Sequence, residues 1–152
     1  MLDQLQPDVI HAHHPLVLGT AVRAARRRRA KGYDCVVVYD ARTGVARYSF
    51  FAYDASFHGG VRVAVGDVNG DGAEDVITAT GPGGGPHVRV FDGRSGQQLA
   101  GPLGSFFAYD PGVTGGLFVA AGDVNGDGFA DILTGADSGG GPHVQVFSGK
   151  DG

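Results

Sequence analysis

The sequence is poor in cysteine and in long apolar runs. Its 152 residues include one cysteine, Cys35, which excludes an intramolecular disulfide framework and a zinc site built on cysteines. No apolar run approaches the roughly 20 residues that a membrane-spanning helix needs. We also find no secretory signal, because the apolar stretch at 16–18 is too short and the arginines follow it instead of preceding it.

Glycine is abundant and charge is unevenly distributed. The chain holds 28 glycines, yet 42% of its residues are hydrophobic, which favours a folded, loop-rich protein over a disordered one. Residues 1–34 carry six Lys or Arg against three Asp, a net charge of +3. Residues 35–152 carry six basic against thirteen acidic residues, a net charge of −7. This asymmetry indicates two segments of different role.

An internal repeat with a period of 56 residues dominates the sequence. The repeated pairs are SFFAYD at 49–54 and 105–110, GDVNGDG at 66–72 and 122–128, and GGGPHV at 83–88 and 139–144. Each period holds about four short β-branched or aromatic segments bounded by Gly, Pro, Asn or Asp, which is typical of a propeller blade. The prediction is therefore an all-β fold of β-propeller blades. From residue 35 onward we expect nine strands, or about two four-stranded blades plus a remnant strand, in an incomplete ring.

Residues 1–34 share nothing with the repeat and are predicted as a separate strand-helix segment. We expect a strand at 8–12 and a helix over 15–31 with arginines near its end. The string PDVIHAHHPL resembles an N-terminal segment of retaining GT-B glycosyltransferases, which implies a cleft position for His13 or His14. Because no second nucleotide-binding domain and no donor-binding motif follow, we interpret the segment as vestigial and the protein as a non-enzyme. A glycosyltransferase-like enzyme remnant fused to the repeats is the alternative.

Two acidic loops carry the strongest chemical signal. Each fits the pattern D-x-N-x-D-G-x-x-D, which places carboxylate, amide and main-chain oxygens within one short turn. Ca²⁺ prefers six to eight such oxygens, whereas Mg²⁺ prefers a rigid octahedron that keeps several waters. A solvated turn of Asp, Asn and Gly is the alternative interpretation. The predicted ligands of the two Ca²⁺ sites are Asp67, Asn69, Asp71, the Ala73 carbonyl and Asp75, and then Asp123, Asn125, Asp127, the Phe129 carbonyl and Asp131.

The combination of SFFAYD, GDVNGDG and GGGPHV resembles the FG-GAP/VCBS repeats of integrin-like β-propellers over residues 35–152. The resemblance implies that Ca²⁺ binds in the loop between the first two strands of a blade. It also implies a structural, adhesion or binding module at the cell surface or outside the cell. Such propellers close into rings, so we expect this chain either to form a homo-oligomeric ring or to be part of a longer propeller. A protein or carbohydrate ligand fits this role, and we expect neither a nucleic-acid nor a membrane partner.

The histidines His87 and His143 follow the same Gly-Gly-Gly-Pro string in the two repeats. They would either surround the propeller channel with imidazole groups or make hydrogen bonds that order the glycine loop. We favour the structural role, because buried or half-buried polar groups in folded proteins are usually hydrogen-bonded.

Overall fold

The structure is a computed structural model that describes residues 43–152 and, before them, three separate strands. Side chains are described for residues 36–40 and 43–152. Both His13 and His14, and with them the predicted glycosyltransferase-like cleft, lie outside the described residues. The described strands are β1 (Asp8–Val9), β2 (Val22–Arg27), β3 (Cys35–Asp40), β4 (Ala46–Phe50), β5 (Val61–Gly66), β6 (Asp75–Thr80), β7 (His87–Phe91), β8 (Ser105–Phe107), β9 (Leu117–Gly122), β10 (Asp131–Ala136) and β11 (Val144–Phe147).

The strands form three antiparallel sheets, each a simple meander. The first sheet is β1-β2-β3-β4, the second is β5-β6-β7-β8 and the third is β9-β10-β11. Tight turns separate the strands, as in the hairpin after β7, where the Asp92 N–H donates to the Gln97 carbonyl at 2.8 Å. The all-β class and the nine strands from residue 35 onward are confirmed among the described residues. These sheets have the form of incomplete propeller blades.

The N-terminal segment differs from the prediction. Residues 22–27, expected in a helix, form strand β2, so the helix prediction is wrong over this part. This strand pairs with β3 through six consecutive positions, from Val22 opposite Asp40 to Arg27 opposite Cys35. Pairing with an existing strand overrides the local helix propensity of an Ala- and Arg-rich run. The predicted remnant strand is consequently part of a four-stranded sheet, and the boundary between segments at 34 and 35 stays a prediction.

Apolar residues bury the contact between successive sheets. The cluster between the second and third sheets includes Ile77, Val90, Leu117 and Ile132, none of which is exposed. Each such side chain contributes about 1.5–3 kcal/mol relative to leaving it in water. A second cluster joins the first and second sheets, and its members include Val36, Val38, Val61, Val76 and Phe91. The sheets therefore stack in sequence order, as neighbouring blades do.

A tyrosine from the repeated SFFAYD string ties each sheet to the next one. The Tyr53 hydroxyl, which follows the first sheet, lies 3.0 Å from the Thr78 carbonyl and 2.9 Å from the His87 carbonyl of the second sheet. Burial raises the pKa of Tyr53 well above its usual range. In the next repeat the Tyr109 hydroxyl lies 2.9 Å from the carbonyl of Thr134 in the third sheet. The repeated tyrosine is thus a hydrogen-bonded link between blades.

Candidate metal-binding loops

The first acidic loop, residues 67–74, connects β5 to β6. This is the loop between the first two strands of the second sheet, as the family resemblance implies. Gly70 and Gly72 have φ values of +72° and +82°, in the left-handed region that favours glycine. The loop therefore turns sharply at the two positions where the pattern requires glycine.

Side-chain oxygens of this loop fold inward on its own main chain. The carboxylate of Asp67 accepts from the N–H groups of Asp71 at 3.0 Å and Gly72 at 2.8 Å. The amide oxygen of Asn69 accepts from the same Asp71 N–H at 2.9 Å. The carboxylate of Asp71 in turn accepts from the Ala73 N–H at 2.7 Å. The loop thus gathers three oxygen-bearing side chains at its centre.

Asp75 anchors the end of the loop inside the protein. It is fully buried, and its carboxylate accepts from the N–H groups of Val68 at 3.2 Å and Gly93 at 3.0 Å. Burial raises its pKa to about 6, although these two hydrogen bonds oppose the shift. The nearby charges of Asp71 and Asp92 raise the pKa further. Asp75 therefore fastens the loop to the turn after β7 and carries a charge that is costly to bury.

The second acidic loop, residues 123–130, repeats this arrangement between β9 and β10. The Asp123 carboxylate accepts from the N–H groups of Gly126 at 2.7 Å and Gly128 at 2.9 Å, and these bonds lower its pKa. The carboxylate of buried Asp131 accepts from the Val124 N–H and the Gly149 N–H, both at 3.1 Å. Two further bonds match the first loop: the Asn125 side chain accepts from the Asp127 N–H, and the Asp127 side chain accepts from the Phe129 N–H.

An arginine distinguishes the first loop from the second. The Nε atom of Arg94 lies 3.3 Å from the Asp71 carboxylate, and its guanidinium also donates to the Asp71 carbonyl. Lys150 occupies the same repeat position 56 residues later, and its Nζ atom lies 5.9 Å from the Phe129 ring centroid. Sequence reasoning missed Arg94, although the difference between the two repeats at this position was a usable signal.

The two loops also touch each other across the sheet interface. The Ala130 N–H of the second loop donates to the Asp67 carbonyl of the first at 2.8 Å. The Phe129 ring covers Gly70 so closely that a Cβ placed there would lie 2.4 Å from a ring carbon. The two loops are therefore in direct contact through Asp67 and Gly70 on one side and Phe129 and Ala130 on the other.

The oxygen atoms that both loops contain are of the types that a hard cation binds. Carboxylate, amide and main-chain oxygens are the ligands that Ca²⁺ prefers. Across the described residues, no three His, Cys, Asp or Glu side chains are grouped closely enough to hold an ion. Each loop is a hydrogen-bonded turn in this structure. The assignment of its oxygen atoms as Ca²⁺ ligands therefore stays a prediction.

His87 makes the contacts of a structural residue. Its Nε2 atom lies 2.8 Å from the Ser105 hydroxyl, and its ring packs 4.8 Å from the Phe107 ring centroid. Burial lowers its pKa. His143 contacts Tyr109 edge to face at 5.2 Å, as His87 contacts Tyr53 at 5.5 Å. These contacts join the histidine to neighbouring strands and to the repeated tyrosine, and its predicted role in ordering the glycine loop stays a prediction.

Comparison with known protein families finds a similarity to the repeat. The sequence model of the FG-GAP-like repeat matches residues 67–134, which include both acidic loops and the strands between them. No solved structure matches the chain. Within the part that the structure describes, no helix has the length and apolarity needed to cross a bilayer. The matched segment, residues 67–134, is similar to the FG-GAP-like repeat and has the sheet order and loop positions described above.

Proposed function

We propose that the protein is a calcium-binding β-propeller fragment that acts as a structural, adhesion or binding module. One observation carries the proposal: the two acidic loops have the same oxygen-bearing residues and the same internal hydrogen bonds, 56 residues apart. Each loop would hold one Ca²⁺ ion between the first two strands of its sheet. When bound, the ion would supply positive charge to the carboxylates of the loop and no catalytic chemistry.

The buried carboxylates give a physical reason for an ion. Burial of the Asp75 carboxylate raises its pKa, and repulsion from the charges of Asp71 and Asp92 raises it further. A divalent cation near these groups favours their ionised forms and offsets the repulsion. Binding would therefore stabilise the folded loop. In the first loop, Arg94 already supplies part of this positive charge to Asp71, so we expect the second loop to bind Ca²⁺ more tightly.

The remaining parts of the proposal follow from the repeat architecture. FG-GAP-like repeats form propeller-type binding or structural modules, and we place this one at the cell surface or outside the cell. The described residues form three blade-like sheets, and we propose that copies of the chain associate to complete a propeller ring. A protein or carbohydrate would bind on the surface of the assembled module. We assign no catalytic residues.

Thermal unfolding with and without Ca²⁺ tests the calcium proposal. At a hundredfold excess over Kd, one ion stabilises the fold by about 2.7 kcal/mol. We expect the melting temperature to rise clearly with CaCl2 and to fall again with chelator. The double variant Asp67→Asn and Asp123→Asn should lose this response, whereas Asp54→Asn, outside both loops, should keep it. A melting temperature that does not respond to Ca²⁺, or a double variant that responds like the wild type, would contradict the proposal.

A further inference from the structure

We propose that one face of the third sheet is the docking surface for a second copy of this chain. This surface, which we call the trailing face, consists of Gly122, Val124, Val144 and Val146. It is the face that points away from the second sheet in the sequence-ordered stack. The inference deepens the proposed function and rests on it, because it names the residues through which the copies associate.

The internal repeat allows the trailing face to be compared with the equivalent face of the second sheet, which the third sheet contacts. Three valines of the second sheet and its acidic loop are 0–1% exposed, because the third sheet covers them together with Leu99, Leu103 and Phe106 from the segment after β7. Their counterparts 56 residues later are 50–65% exposed. The covered valines are Val68, Val88 and Val90, and the exposed ones are Val124, Val144 and Val146. The same apolar positions are therefore buried in an interface in the second sheet and exposed on the surface of the third sheet.

A pair of glycines gives the same result independently. A Cβ at Gly66 would lie 2.8 Å from the Ala130 Cβ and 3.0 Å from the Ala121 Cβ, so the third sheet approaches too closely for any side chain there. A Cβ at the equivalent Gly122 would meet no atom within 4 Å. Gly122 also has no positive φ that would require glycine. Nothing within the described chain explains this glycine, whereas a neighbouring sheet docked as at Gly66 does.

The chain itself supplies a suitable partner for this surface. The second sheet presents Val61, Val76 and Phe91 to the sheet before it, and the first sheet already covers them. In the first sheet, Tyr39 occupies the position of Phe91 in the 52-residue offset between these repeats, and Val37 alternates with Val36 and Val38 onto the same side as Tyr39. A second copy can therefore bring its first sheet to the trailing face, head to tail.

Charge favours the same pairing. Residues 117–152, which contain the third sheet, carry five Asp and one Lys, a net charge of −4. The four strands of the first sheet carry Arg23, Arg26, Arg27 and Arg47 against Asp8 and Asp40, a net charge of +2. A head-to-tail contact brings these opposite charges together, whereas a contact between two trailing faces brings like charges together. Repetition of one head-to-tail contact closes a ring when the rotation between copies permits.

Light scattering coupled to size exclusion, over a range of concentrations, tests the proposal on the full chain. We expect the wild type to form concentration-dependent multiples of its 15.6 kDa mass. Gly122→Val and Val144→Lys should each raise the concentration needed for association at least tenfold. Gly122→Val is the sharper variant, since a β-branched residue suits strand β9 and fills space that is open in the monomer.

Ala55→Lys is the control, because Ala55 is exposed and lies in the turn between β4 and β5, outside both the trailing face and the first sheet. It should associate like the wild type, and circular dichroism should show that all variants are folded. A wild type that stays monomeric at millimolar concentration, or variants that associate as strongly as the control, would overturn the proposal. Each run is repeated with CaCl2 and with chelator. Association without any Ca²⁺ effect on stability would refute the calcium proposal and leave the trailing face supported.

Discussion

Ile77→Ala is expected to lower the free energy of unfolding by about 3–4 kcal/mol, within the range that large-to-small changes in a core produce. Ile77 is completely buried in the cluster between the second and third sheets. Removing three carbons there loses apolar burial and leaves a cavity that the rigid sheets on both sides cannot close. Against a total stability of about 5–15 kcal/mol for an ordinary domain, this loss is large. Urea unfolding followed by circular dichroism measures it.

Leu133→Ala is the matched control for this prediction. Leu133 is the repeat counterpart of Ile77, and it is only half-buried because no further sheet of the described chain covers it. We expect a loss of about 1 kcal/mol, in proportion to the smaller apolar area removed from water. Unfolding should be measured at low protein concentration, so that no second copy covers the trailing face. Equal losses at the two positions would contradict the stacking of the second sheet on the third.

Gly70→Ala is expected to destabilise the protein by about 2–4 kcal/mol, from two separate causes. At φ +72°, a residue with a Cβ is strained by about 1–2 kcal/mol. The new methyl group also displaces the Phe129 ring, since its Cβ would lie 2.4 Å from a ring carbon. The second cause acts on the contact between the two acidic loops. Chemical denaturation gives the size of the combined loss.

Gly126→Ala separates the two causes, because Gly126 has φ +80° and a Cβ at this position would have no atom within 4 Å. It should show the backbone strain alone, about 1–2 kcal/mol. In a Phe129→Ala background, the loss caused by Gly70→Ala should fall to that of Gly126→Ala. If the loss at Gly70 is unchanged when the ring is removed, the two loops are not coupled through this contact.

The repeat made much of the fold predictable. Short β-branched segments between glycine-rich turns indicated the strands, and the recurrence of GDVNGDG placed both acidic loops between the first two strands of a sheet. The turn at 92–96 was predictable for the same reason, since Asp and Gly at fixed offsets favour tight turns. These features depend on residues that are close in the chain.

Contacts between distant residues were not predictable in this way. Residues 22–27 have the composition of a helix, and only their pairing with β3 makes them a strand. The contact of Phe129 with Gly70 depends on how two sheets stack, and the repeat period contains no such information. Arg94 beside Asp71 is a further case, because the side chain comes from a different turn and is replaced by lysine in the next repeat.

Calorimetric titration of the calcium-free protein with CaCl2 tests the central claim most directly. We predict two bound ions per chain with unequal affinities, the weaker one in the loop where Arg94 pairs with Asp71. Asp127→Asn should remove the tighter binding event, and Asp71→Asn the weaker one. Absence of any bound Ca²⁺ at millimolar concentration would contradict the claim and leave both loops as turns held by hydrogen bonds alone.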